Sequence, residues 1–160
     1  MGVGHDSIIN FYRTIIANIG IEGNEPVYFE RIAFLEWFRW VLKADGKEIE
    51  ISALGFPDER VNEEVKEIVY ARFRVLVNRA CGNRRFFLTK KGGMGIGARN
   101  VRVGDKVCIV ERACVPLILR DIEGEEGGTR KFLYIGDSYV DGVMRDEAYD
   151  ESKMEYCELY

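Results

Sequence analysis

Residues 84–97 read RRFFLTKKGGMGIG, a basic and aromatic run that leads directly into four closely spaced glycines. Such a run predicts a strand over residues 84–89, and the glycines predict a glycine-rich turn over residues 91–97. Upstream of Gly82 the apolar residues recur at helical spacing, whereas downstream of it short β-branched runs alternate with glycine turns. The stretch therefore marks the point at which the chain changes from helices to strands.

Three helices are predicted upstream of this point. The first begins near His5 and stops at Gly20. The second covers about residues 28–43, and its apolar residues occupy more than one face, which indicates that it packs on two sides. The third covers about residues 62–79, with glutamates early and arginines late, the order that complements the helix dipole. Its predicted buried stripe is Val65, Ile68, Val69, Phe73, Leu76 and Val77.

Several short strands are predicted downstream. Besides the first, they cover about residues 105–111, 115–122, 130–134 and 138–143, with an exposed turn at 123–128 and with Val107 and Ile109 facing inward. Closely spaced strands joined by glycine turns predict an antiparallel sheet curled into a small barrel. We therefore expect a single α+β domain over residues 1–160. In it, a three-helix layer (5–81) packs on a small antiparallel β-sheet or barrel (84–148), and the acidic tail (149–160) is loosely held.

Composition weighs against several functional classes. A chain of 160 residues with a net charge of −4 has no global electrostatic reason to bind nucleic acid or a membrane. It has no apolar run long enough to span a bilayer and no signal peptide, so a cytoplasmic protein is expected. The four cysteines form no Cys-x-x-Cys pair, and His5 is the one histidine, so we expect free thiols, no metal and no cofactor.

Several further segments follow one another in an order that resembles a known protein family. They are FYRTIIA (11–17) in the helical part and VGDKVC (103–108), VPLILR (115–120) and YIGDSYVDGVM (134–144) in the strand-rich part. Together with residues 84–97, this succession is similar to the C-terminal region of fungal heterokaryon-incompatibility proteins, from about Phe11 to Asp150. The hallmark of their N-terminal incompatibility domain, which is held to be the toxic part, is absent from this sequence.

The resemblance implies a regulatory and interaction role in allorecognition and programmed cell death, not catalysis. The module would restrain the toxic domain or sense a partner, so a protein partner or self-association is expected. Asp141 stands where the family often has a histidine, so this chain could not repeat chemistry performed by that histidine. Cys108 and Cys114 are weak candidates for a nucleophile, because His5 lies at the far terminus.

Two other functions remain open. A small-molecule or nucleotide-binding sensor or enzyme would place a pocket between residues 92–97 and 136–142, although the glycines lack the Gly-Lys-Ser/Thr of a phosphate loop. A barrel that binds single-stranded nucleic acid would use the basic residues of 84–102 together with Phe86 and Phe87. Successive side chains of a strand point to opposite faces, however, so one of these two phenylalanines is expected in the core. Nucleic acid is thus the least favoured partner. The predicted binding residues are Arg84, Arg85, Gly95, Gly97, Asp105, Arg120, Asp137, Tyr139 and Asp141.

Overall fold

The chain divides into two compact units, Met1–Gly82 and Asn83–Tyr160. The structure, a computed structural model, describes residues 5–18, 28–44, 62–122, 129–144 and 150–160. In these residues the first unit is helical and the second is built mainly from strands, so the predicted α+β class is confirmed. None of the helices described is both long and apolar enough to cross a membrane. The expectation of one domain stays a prediction.

The helical unit contains the three predicted helices. They are α1 (His5–Ile15), α2 (Tyr28–Ala44) and α3 (Glu63–Cys81). Helix α1 ends earlier than predicted, and Ala17 and Asn18 just beyond it adopt left-handed conformations with φ near 51°. The predicted stop at Gly20 lies outside the residues that the structure describes.

Phe34 of α2 lies at the centre of the helical core. It is 1% exposed, and its ring centroid is 4.9 Å from that of Tyr12 on α1 and 6.0 Å from that of Phe73 on α3. Burying one such ring stabilises the fold by about 1.5–3 kcal/mol. Contacts with both neighbouring helices confirm that α2 packs on two sides. Glu36 is also buried, and it forms an ion pair with Arg39 one turn along the same helix.

Helix α3 begins where the sequence predicts. The side chain of Asn62 caps it by accepting a hydrogen bond from the Val65 amide at 3.0 Å. Its fully buried residues are Val69, Phe73 and Leu76. Ile68 was predicted in this stripe, and that prediction is wrong, because Ile68 is 56% exposed. One residue step turns about 100° around a helix, and from Val69 that step carries Ile68 away from the side on which Val69, Phe73 and Leu76 are buried.

The described part of the second unit contains six strands. They are β1 (Arg84–Leu88), β2 (Met94–Ala98), β3 (Lys106–Cys108), β4 (Leu117–Ile122), β5 (Arg130–Val140) and β6 (Cys157–Leu159). Their order is β1-β2-β5-β4-β3, with β6 paired to β5. The pairing of β6 with β5 is parallel, and the other pairings are antiparallel. The predicted barrel is not closed by the described strands, because β1 and β3 stand at opposite ends of this order.

Three predicted strand boundaries need correction. Residues 94–98, predicted as part of a turn, form β2, because they pair with β1 on one side and β5 on the other. Residues 130–140 form one continuous strand instead of two. The tail expected to be loosely held contributes β6, whose residues 157–159 pair with 130–132. The predicted turn at 123–128 lies outside the described residues.

A small core fills one part of the sheet. Its members are Val101, Ile118 and Ile135, with Phe87, Ala98 and Val107 packed against them. Val107 therefore faces inward as predicted, but Ile109 lies beyond the end of β3 and is 38% exposed. A bulge delivers Ile135 to this core: Ile118 pairs with Gly136 while Leu119 pairs with Tyr134, so Ile135 is the extra residue on β5.

Candidate interaction surface

Six of the nine predicted binding residues form three hydrogen-bonded pairs within the sheet unit. Arg84 of β1 and Asp137 of β5 form an ion pair with 2.8 Å between Nη2 and Oδ2, and both side chains are partly exposed. Exposed pairs of this kind stabilise a protein by about 0–1 kcal/mol. Arg85 donates a hydrogen bond to the Val101 carbonyl at 2.8 Å and thereby ties the loop after β2 to β1.

Asp105 and Arg120 form the most complete polar network in the sheet unit. The Arg120 Nε and Nη2 atoms donate to the two carboxylate oxygens at 2.7 and 2.9 Å, the fork geometry that guanidinium and carboxylate prefer. The Arg102 amide adds a third bond at 2.8 Å, and Arg120 also donates to the Asn100 carbonyl at 3.1 Å. The side chain of Asp105 is 3% exposed. The carboxylate therefore pins the loop before β3 onto β4.

The charge of Asp105 is held in place by the same contacts. Hydrogen bonds from the Arg120 side chain, and secondarily from the Arg102 amide, hold the pKa of Asp105 below its ordinary value, although burial acts in the opposite direction. Its carboxylate oxygens are already occupied by donors, so they are not placed to accept a proton from a substrate. A structural role accounts for both residues.

Tyr139 and Asp141 form a third pair. The Tyr139 hydroxyl donates to Asp141 Oδ1 at 3.0 Å, next to the end of β5. Upstream on the same strand, Gly136 has φ of 153°, and a Cβ there would lie 2.8 Å from that of Ala98. This glycine therefore permits the close approach of β2 and β5 at the bulge.

Gly95 and Gly97 make room for an aromatic ring. A Cβ at Gly95 would lie 2.5 Å from Phe87 Cζ, and one at Gly97 would lie 3.2 Å from Phe87 Cε1. Residues 95–97 do lie beside residues 138–140, as the small-molecule hypothesis requires. The Phe87 ring, however, occupies the space above both glycines, so they form no open cradle for a ligand.

Reactive groups are sparse in the sheet unit. Within the described ranges, no three His, Cys, Asp or Glu side chains cluster closely enough to hold a metal ion. The four cysteines are free thiols. Burial raises the pKa of Cys108, which favours the protonated thiol over the nucleophilic thiolate.

The hairpin formed by β1 and β2, residues 84–98, presents exposed basic and apolar groups; we call it the basic hairpin. Leu88 is 65% exposed, and Lys90 and Lys91 stand exposed in its turn. The turn is fixed by Thr89, whose hydroxyl accepts a hydrogen bond from the Gly93 amide at 2.9 Å. Residues 83–104 contain six lysines and arginines and no acidic residue, in a chain whose net charge is −4. Sequence reasoning noted this basic stretch but missed Leu88.

A second charged cluster surrounds Phe132 on β5. The Lys106 ammonium and the Arg130 guanidinium lie 5.2 and 5.4 Å from the ring centroid. Asp121 pairs with both cations, at 2.8 and 3.7 Å, and Glu155 pairs with Arg130 at 2.6 Å. The cluster joins residues distant in sequence, so no local pattern could reveal it. Because two cations face two carboxylates, its charge is balanced internally.

The sheet unit lies within a segment of the chain that matches a known protein family. Residues 54–158, more than half of the chain, match the Het-6 beta-barrel domain, and the chain therefore belongs to this family. The chain is also 32% identical over 72 residues to heterokaryon incompatibility protein 6, OR allele, of Neurospora crassa. That match covers 45% of this chain and 10% of the Neurospora protein, so the chain matches about a tenth of that protein. No solved structure matches the chain significantly.

Proposed function

We propose that this chain is a non-enzymatic interaction module of the fungal heterokaryon-incompatibility system, which binds a protein partner through the basic hairpin. It would act in allorecognition and cell death, by restraining a toxic incompatibility domain or by sensing a partner. A cytoplasmic setting suits its four free thiols, which would stay reduced there. Membership of the Het-6 beta-barrel family supports the biological context.

The exposed tip of the basic hairpin is the observation that carries this proposal. A leucine that is 65% exposed, beside two exposed lysines, contributes little to the sheet core. Such a surface suits an acidic protein surface that also carries an apolar contact. The ion pairs Arg84–Asp137 and Asp105–Arg120 support a non-enzymatic module, because these polar side chains are engaged with one another.

Calorimetric titration of the full chain with an isolated incompatibility domain tests the proposal. Micromolar binding that weakens at high salt is expected, since the contact includes rim charges. Changing both Lys90 and Lys91 to Glu should abolish it. A control changes Lys43 and Lys131, which are exposed elsewhere, to Glu and so alters the net charge equally. Equal losses in both variants would show that net charge alone drives binding.

Sedimentation of the chain alone extends the test to self-association. A dimer that the hairpin charge reversal dissociates would support an interaction module that pairs with itself. No binding to either partner, together with turnover of a small substrate, would refute the proposal. A salt-sensitive gel shift with single-stranded DNA, and no protein binding, would instead support the nucleic-acid function.

A further inference from the structure

Helix α3 has a second face that points away from the helical core. Tyr70, on the side toward α2, donates a hydrogen bond to the Glu36 carbonyl at 3.4 Å. Since each residue turns the helix by about 100°, Ile68 and Val75 project on the far side. They are 56% and 62% exposed. The helix therefore carries apolar residues outward as well as inward.

The outward apolar residues have the spacing of a helix-packing seam. Ile68 and Val75 are one heptad apart, and the exposed Ala71 and Asn78 fall at the alternating position between and after them. We call these four residues the outer face of α3. The branched Ile68 and Val75 at one position, with Ala71 and the polar Asn78 at the other, leave a narrow ridge, which fits the groove of another helix. Isoleucine and valine also lower helix propensity relative to alanine, so their placement does not stabilise an isolated α3.

The charges around the outer face specify what can lie on it. Arg72, Arg74 and Arg79 are exposed and form no ion pair with any residue that the structure describes. From Ile68 to Cys81 the helix contains no acidic residue. A second copy of α3 would add three more arginines to this surface, whereas an acidic helix would neutralise them. Charge complementarity therefore favours a different protein over self-pairing.

We propose that the outer face of α3 binds an acidic amphipathic helix of a partner protein. Apolar residues of that helix, at three- and four-residue spacing, pack on Ile68 and Val75. Its glutamates or aspartates lie against Arg72 and Arg79, in the flanking positions that set partner choice in paired helices. This surface lies in the helical unit, so the proposal is independent of the basic hairpin.

A fluorescent peptide of three heptads tests the proposal, with leucine at the two seam positions and glutamate at the flanking positions. Anisotropy titration with the full chain should show saturable binding, and the same peptide with lysine in place of glutamate should not bind. Changing Ile68 and Val75 to Ser should weaken binding about tenfold or more, because anchors at the centre of an interface dominate affinity. Changing the fully exposed Val103 to Ser is the matched control and should have no effect.

Charge reversal supplies the decisive comparison. The double variant Arg72→Glu, Arg79→Glu should no longer bind the acidic peptide and should bind the lysine peptide instead. The neutral double variant Arg72→Gln, Arg79→Gln disturbs the helix end less, and it should bind neither peptide. Circular dichroism verifies that each variant remains folded.

Three results would overturn the proposal. One is unchanged affinity of the Ile68 and Val75 variant for the acidic peptide. Another is loss of peptide binding on charge reversal of Lys90 and Lys91, which would move the contact to the basic hairpin and leave the proposed function intact. The third is a dimer of the chain alone that the Ile68 and Val75 changes dissociate, because the occupant would then be a second copy.

Discussion

Replacing Gly95 by alanine should destabilise the sheet unit strongly, because the added methyl group has no room. Its Cβ would lie 2.5 and 2.7 Å from two atoms of the Phe87 ring and 2.8 Å from the Tyr139 carbonyl oxygen. The ring can shift only against the small core, and the carbonyl belongs to the neighbouring strand. At Gly97 the closest atoms lie 3.2 to 3.4 Å away and all belong to side chains, so a methyl group there displaces them only slightly.

The expected magnitudes follow from these distances. Replacing glycine by alanine reduces the entropy of the unfolded chain and, where the native backbone permits it, stabilises by about 0.4–1 kcal/mol. Overpacking a filled core costs about 1–3 kcal/mol, and more where backbone must move. Gly95→Ala should therefore lower the free energy of unfolding by about 2 kcal/mol, which lowers Tm by roughly 10 °C in a unit of this size. Gly97→Ala should stay within about 1 kcal/mol of the parent.

Urea unfolding followed by far-UV circular dichroism measures the difference. Both tryptophans, Trp37 and Trp40, lie in α2, so their fluorescence reports the helical unit alone. If the two units unfold as one domain, Gly95→Ala should also shift the unfolding transition seen by tryptophan fluorescence. If the units unfold separately, hydrogen exchange in residues 94–98 should become faster, and the tryptophan transition should not change. Equal stability of the Gly95 and Gly97 variants would refute the reasoning, since it would show that Phe87 does not occupy the space above Gly95.

Further predictions concern single side chains in each unit. Asp105→Asn should lower stability near neutral pH. It should also flatten the pH dependence of stability below pH 3.8, the ordinary pKa of an aspartate, because the parent protein loses this stabilisation as the pH falls through the lowered pKa of folded Asp105. Thermal unfolding across pH measures both effects, and parallel curves for the parent and the variant would contradict the role of Arg120. Tyr12→Phe should increase the free energy of unfolding by up to about 1 kcal/mol and so raise Tm, because the buried hydroxyl has no hydrogen-bond partner among the described residues. A lower Tm would show that the hydroxyl has a partner. Phe34→Ala should cost about 3–5 kcal/mol, read from tryptophan fluorescence.

The helices were predictable because their signals are local. The apolar spacing of residues 28–43 and the charge order of residues 62–79 act within a few residues, and the observed helices begin where these signals place them. Ile68 shows the limit of this reasoning. Its apolar character fits a buried stripe by composition, but only the direction of α2 and α1 relative to α3 decides which of two adjacent apolar residues is buried.

The sheet was less predictable because its decisive contacts are set by strand register. Glycine is as common in turns as in strands that accept a close neighbour, and the sequence cannot show that Phe87 lies over Gly95 and Gly97. That arrangement follows from the pairing of Phe87 with Gly95 in the hairpin. The parallel pairing of β6 with β5 joins residues 27 positions apart, and no local turn signal accompanies such a pairing.

The same register explains why several of the predicted binding residues contact one another within the sheet unit. Polar residues beside glycines and at strand ends suggest a binding site in a sequence. In a small sheet, however, polar residues at these positions also form the ion pairs and hydrogen bonds that neutralise buried charges. Asp105 is nearly inaccessible and accepts three hydrogen bonds, so removing it disturbs the fold before it could disturb a binding function. Exposed apolar residues have the opposite property. Leu88 and Val75 contribute little to either core, so substitutions there should leave the fold intact and alter only what the chain binds.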